Sequence, residues 1–221
     1  MKNTETEKQL PREERVNQIF KETKTVIKDS HVVYTSGEHG SDYVNKDAIY
    51  PHPKEIWELC GMFAEDFKDK NIEVVAGPAI GGVILEALTA QHLTRVTGKE
   101  VSGVYAEKQA DEEKSFAFER GNAAFIKGKR VLIVEDILTT GGSAKKVIDA
   151  VKKLGGEVVG LGVLCNRGGV KPEDVGGVEI DALINVKMDK YKPDACPLCN
   201  AGVPINTNVG KGKEYLAQKK L

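Results

Sequence analysis

An excess of charge of either sign is the first thing this chain lacks. Thirty-two Lys and Arg stand against 33 Asp and Glu, a net charge of −1. With no basic stripe or tail, nucleic-acid binding has no electrostatic support. No apolar run approaches the length of a membrane span. The opening stretch, MKNTETEKQLPREER, lacks the apolar core of a secretion signal, so a cytoplasmic location is expected. A disulfide framework is missing too. The 221 residues hold 4 cysteines, two of them in a local Cys-x-x-Cys pair, too few for this size. Repeats and low-complexity tracts are absent. What remains, 40% hydrophobic and 29% charged, is the composition of a globular protein with one substantial core.

The most informative stretch is 131–143, VLIVEDILTTGGS. Val131 to Val134 form an apolar, β-branched run that suits a parallel strand covered on both faces. Glu135 and Asp136 follow at its end, then Ile137 and Leu138, then Thr139, Thr140, Gly141, Gly142 and Ser143. Ala144, Val147, Ile148, Val151 and Leu154 continue at helical spacing until Gly155-Gly156. Ligands of open α/β sheets sit beyond the carboxyl ends of strands, where loops lead into helices. Backbone N–H groups, hydroxyls and glycines at such a place suit a phosphate monoester. The paired acids repel phosphate and suit sugar hydroxyls, or a cation beside them. Ala144 follows Ser143, so this is no lysine-bearing phosphate loop of the nucleotide triphosphatases. The stretch reads as a site for a phosphorylated ribose.

This segment resembles the phosphoribosyl-diphosphate (PRPP) signature of the type I phosphoribosyltransferases: apolar strand, two acids, two apolar residues, then T-T-G-G-S. The resemblance implies an α/β fold, a mostly parallel twisted sheet flanked by helices, with a small N-terminal hood. It also implies Mg²⁺ carried by PRPP, and a homodimer.

Residues 12–28, with Val16, Ile19, Phe20, Val26 and Ile27 at helical spacing, predict an amphipathic helix outside the main sheet, a lid or dimer element. In HVVYTSGEHGSDYVNKD, residues 31–47, alternation predicts a hairpin turning through Ser36-Gly37 and Gly40-Ser41. Its T-S-G-x-H-x-S-x-Y pattern is similar to the base-covering hood of orotate phosphoribosyltransferases, which implies base contacts from Ser36, Gly37, His39 and Tyr43. Pro53 opens a helix with Ile56, Leu59, Cys60, Phe63 and Phe67 on one face; Cys60 is expected in the core. The strand Ile72–Ala76 runs into a second glycine-rich turn, GPAIGG, followed by a helix in which His92 is expected to be structural. In the resembled family this turn grips pyrophosphate through main-chain N–H groups, here those of Ala79, Ile80, Gly81 and Gly82. Some relatives carry a lysine there; this chain does not.

Strand Val101–Ala106 leads into a charged loop. Its A-E-K and later E-R-G resemble the family's catalytic loop, which closes over a site, often the neighbouring subunit's. That implies Lys108, with Lys114, as the group neutralising the departing pyrophosphate. After strand Val158–Leu164 comes Asn166-Arg167, where orotate enzymes carry Asp-Arg. The arginine carries over and implies recognition of the orotate carboxylate. After a last strand, Ile180 to Val186, Cys196-Pro197-Leu198-Cys199 is half a zinc site. A reduced structural turn is expected, with completion by a second subunit as the alternative; a similar tail occurs in some bacterial orotate enzymes.

The expected organisation is 1–50 as helix and hood, 51–190 as phosphoribosyltransferase core, and 191–221 as tail. The expected function is phosphoribosyl transfer from PRPP to orotate, with Glu135, Asp136 and Lys108 at the reacting centre. The alternatives are the same chemistry on a purine base, and a non-catalytic PRPP-sensing regulator.

Overall fold

The computed structural model describes residues 10–219. Of the stretch 1–11, which its polar sequence predicts to be frayed, residues 1–9 lie outside the described residues, as do 220–221. The chain runs through α1 (Arg12–Glu22), β1 (Val26–Ile27), β2 (Val32–Val33), β3 (His39–Gly40), β4 (Tyr43–Val44), α2 (Pro53–Phe67), β5 (Val74–Pro78), α3 (Gly81–Thr97), β6 (Ser102–Lys108) and β7 (Phe116–Ala117). It continues through β8 (Arg130–Leu138), α4 (Gly142–Lys153), β9 (Glu157–Asn166), β10 (Ile180–Asn185), α5 (Pro197–Asn200) and α6 (Gly212–Gln218).

Six strands form one sheet in the order β10-β9-β8-β5-β6-β7. All neighbours are parallel except β6 and β7. The expected mostly parallel sheet is therefore present. Alternate residues of its strands enter different cores. Val75, Leu132 and Val134 pack with α1, α2 and α3, while Val74, Ala76, Val131 and Ile133 pack with α4. Burial on both faces explains why these strands read as unbroken apolar runs. From β5 the chain goes to β6 on one side, then crosses to β8 on the other. The carboxyl ends of β5 and β8 thus flank a topological switch point, where such sheets open a crevice.

Several boundaries differ from expectation. The first helix ends at Glu22 rather than near residue 28. Thr23 donates its hydroxyl to Ile19 O at 2.7 Å, Lys24 takes a positive φ of 56°, and the β-branched Val26 and Ile27 pair with Val44 and Tyr43. Nor is α1 a free lid. Val16, Ile19 and Phe20 are buried, and Arg15 grips both carboxylate oxygens of Glu58 on α2 at 2.6 and 2.7 Å. β8 continues through the acid pair to Leu138, because Ile137 and Leu138 still pair with Cys165 and Asn166. β6 likewise reaches Lys108, which pairs with Phe116. Cys60 is buried in the core as expected. His92 is structural, its Nε2 2.9 Å from Trp57 O.

The hood is a pair of two-stranded ribbons, β2 with β3 and β1 with β4. The first closes through Tyr34–Glu38, with Gly37 at φ 83°. The tail comes back to it. Tyr191 exchanges two 2.8 Å backbone hydrogen bonds with His39, and Asn206 and Lys211 donate their N–H groups to His31 O and Val33 O.

Candidate active site

The loop after β8 has the geometry of a candidate anion cradle. Gly141 caps α4 with φ 75°, and a Cβ there would press on Val170 and Val175, each 2.9 Å away. Only glycine fits that space and that dihedral. The turn leaves Thr139, Thr140, Gly142 and Ser143 exposed around the first-turn N–H groups of a 12-residue helix. Those donors and the helix dipole favour a phosphate. The turn after β5 is the second candidate. It carries a cis Ala79–Ile80 peptide and enters α3 at Gly81. A Cβ on Gly81 would collide with the Asp136 carboxylate and the Tyr50 hydroxyl.

The acids lie between the cradles, and both are buried. Glu135 Oε1 accepts the Asp136 N–H at 3.1 Å. Burial first, then the neighbouring Asp136 charge, holds the Glu135 carboxyl well above the usual carboxylate range. Asp136 Oδ2 accepts from Lys46 Nζ at 2.9 Å and from Tyr50 OH at 2.8 Å. That pairing raises Lys46 against its own desolvation, and burial beside Asp136 raises the Tyr50 phenol. Lys46 and Tyr50 both engage Oδ2, so Asp136 Oδ1 is the hard oxygen this pair would leave for a Mg²⁺ carried on a diphosphate.

Beside the acids opens a cleft of about 460 Å³, lined by Tyr34, Ser36, Tyr43, Thr139, Arg167 and Met188 among others. Hood and phosphate loop therefore face one space. Arg167 Nε donates to Thr139 Oγ1 at 3.0 Å. Asn166, standing where the resembled enzymes have an acid, donates to Val170 O at 2.9 Å and accepts Val170 N–H at 3.0 Å. The buried amide thus closes the loop that presents Arg167, a reciprocal role that a carboxylate cannot fill.

Two hood residues expected at the base are elsewhere. Gly37 closes the β2–β3 turn through its N–H to Tyr34 O at 3.0 Å. His39 is fully buried and faces His31 and Cys199 instead, because β3 points it toward the tail. Lys108 is exposed at the end of β6. Lys114 lies in the loop that Lys146 docks onto α4, by donating to Glu113 O and, at 3.2 Å, to Lys114 O. Tyr34 and Tyr50 were not foreseen, since nothing local distinguishes either from a core aromatic. Burial lifts the Tyr34 phenol to about 12, so it is a neutral donor, here to Asp42 O at 2.7 Å.

Residues 45–194 match the phosphoribosyl transferase domain model. Over 192 residues the chain is 38% identical to an orotate phosphoribosyltransferase of Caldanaerobacter subterraneus, covering 87% of this chain and 94% of that one. A second, from Desulforamulus reducens, is 36% identical over 194 residues, covering 86% and 93%.

The chain belongs to the orotate phosphoribosyltransferase family.

The family fold is shared with an orotate phosphoribosyltransferase of Mycobacterium tuberculosis solved in complex with PRPP. That structure is 22% identical, covers 79% of this chain and 96% of its own, and has a TM-score of 0.59. In this orotate phosphoribosyltransferase-family chain, the family match takes in the acids, both cradles and Arg167. It stops short of His31 and His39 on one side and the cysteine pair on the other. No described helix is long and apolar enough to cross a membrane.

Proposed function

We propose that this enzyme transfers the phosphoribosyl group of PRPP to N1 of orotate, giving orotidine 5′-monophosphate and pyrophosphate. One observation carries the choice of base: Arg167 opens onto the same cleft as the hood, tethered to the phosphate loop. A fixed guanidinium there matches a planar carboxylate, which orotate has and the common purine bases lack.

In this reading the main-chain N–H groups after Thr139 hold the 5′-phosphate, and Thr139, Thr140 and Ser143 add hydroxyls. Ala79, Ile80, Gly81 and Gly82 bind the diphosphate through backbone. Asp136 and Glu135 orient the ribose hydroxyls, with Lys46 and Tyr50 setting the Asp136 carboxylate. Ser36, Tyr43 and Arg167 position the base, with Tyr34 beside them. Cleavage at the anomeric carbon builds oxocarbenium character, and orotate brings its own negative charge, so no covalent nucleophile is required. Mg²⁺ on the diphosphate would supply charge neutralisation for the leaving group. Lys108 and Lys114 are assigned to the same charge, in the site of their own chain or of a partner in a homodimer.

The test is pyrophosphate release from PRPP with orotate, adenine, hypoxanthine and xanthine in turn. Release with orotate alone supports the proposal. Release with a purine and none with orotate rejects it.

A further inference from the structure

The tail motif that looked like half a site has its other half in the hood. His31, His39, Cys196 and Cys199 each bring one ligand atom into a group whose members lie within 4.8 Å of one another. His31 Nε2 is 2.9 Å from His39 Nδ1. It stands 3.7 Å from Cys196 Sγ and 3.6 Å from Cys199 Sγ. Cys199 Sγ is 3.3 Å from His39 Nδ1. A zinc tetrahedron with ordinary bond lengths has S–N edges of about 3.5 Å and an N–N edge of about 3.3 Å. These four edges are close to that size.

Proton placement points the same way. His31 Nδ1 lies 2.7 Å from Val203 O, so it carries a proton and leaves Nε2 a lone pair aimed at the sulfurs. This is the outer-shell bond that commonly orients a metal-bound imidazole. If His39 Nδ1 donated to that lone pair, His39 Nε2 would be a bare acceptor. That atom is buried and has no hydrogen-bond partner among the described residues. With Nδ1 on a metal, Nε2 becomes an N–H instead, on a ring set edge-to-face with Tyr215 at 4.9 Å.

We infer that His31, His39, Cys196 and Cys199 form a four-coordinate structural metal site, zinc by its ligand set, which fastens the tail to the hood. Two thiolates and two imidazoles in a tetrahedron select zinc over the hard cations that PRPP brings. Four protein ligands leave no open position for substrate, so the site is structural. Its consequence reaches the cleft through the chain. β2 and β3 carry the two histidines at or beside their ends, and the turn between them holds Tyr34 and Ser36 on the cleft wall. The inference is independent of which base the enzyme accepts.

The test uses the full chain, purified without chelator, with metal content measured by mass spectrometry. One zinc per chain is expected, and none in the Cys196→Ser/Cys199→Ser double variant. Should that variant fail to fold, the wild-type chain reloaded with Co²⁺ decides. A tetrahedral two-thiolate site gives intense visible bands and thiolate-to-cobalt charge transfer. Limited proteolysis should then cut the tail faster in metal-stripped protein than in zinc-loaded protein. The inference is overturned by a chain that neither holds nor takes up stoichiometric zinc, by zinc that persists in the double variant, or by a Cys196–Cys199 disulfide in the native protein.

Discussion

Arg167 Nε donates to Thr139 Oγ1 at 3.0 Å, which ties the residue assigned to the base to the loop assigned to the 5′-phosphate. Two substrates that must meet in line are thereby referred to one rigid corner, the carboxyl ends of β8 and β9. Arg167→Ala should raise the KM for orotate by about 10–100-fold, the loss of one charged hydrogen-bond pair of about 1.5–3 kcal/mol. The KM for PRPP should move by much less. Steady-state kinetics with each substrate varied separately checks this. Equal effects on both would mean that the arginine serves the phosphate loop alone.

Gly141 stands where left-handed backbone meets two valine side chains 2.9 Å away. Gly141→Ala should cost on the order of 1–3 kcal/mol of stability and weaken PRPP binding by displacing the N–H groups after Thr139. Thermal melts with and without PRPP separate the two effects. A variant as stable as wild type and equally protected by PRPP would remove this turn from the phosphate site.

Glu86, on α3, is buried with Oε2 unpartnered among the described residues, and burial lifts its carboxyl from 4.5 to about 7. A raised acid binds its proton more tightly in the folded chain. Its stabilising contribution is therefore full below pH about 4.5 and lost as pH rises through about 7. The loss is on the order of 3 kcal/mol. Glu86→Gln should flatten the melting temperature over that window and melt higher than wild type at pH 8. Parallel Tm-against-pH curves for the two proteins would contradict this.

The parallel sheet and the glycine turn after β8 were legible because they are local and periodic: an apolar run, two acids, a glycine turn and an amphipathic helix in register. Strand ends were not. Ile137, Leu138 and Lys108 extend their strands only because neighbours supply pairing partners, and no window of sequence contains those partners. The first helix stopped early for a more local reason. Thr23, Thr25 and Val26 are β-branched, and that signal was outweighed by the spacing of apolar residues. The hood was read by pattern, which put His39 against the base. Only the fold could show that β3 turns it toward cysteines 157 and 160 residues later. A histidine eight residues before His39, together with Cys-x-x-Cys, was the available clue, and separation along the chain concealed it. Tyr50 and Lys46 likewise reach Asp136 across 86 and 90 residues.

The central claim is that a sugar phosphate is held at the end of β8, its hydroxyls against Asp136. Titration calorimetry of PRPP into the chain with Mg²⁺ tests it most directly, with Asp136→Asn alongside. One site per chain is predicted for wild type. Affinity should fall at least about tenfold in the variant, as expected for losing a charged acceptor of about 1.5 kcal/mol or more, while its melting temperature stays close to wild type. No uptake by the wild-type chain, or equal uptake by both proteins, would contradict the account.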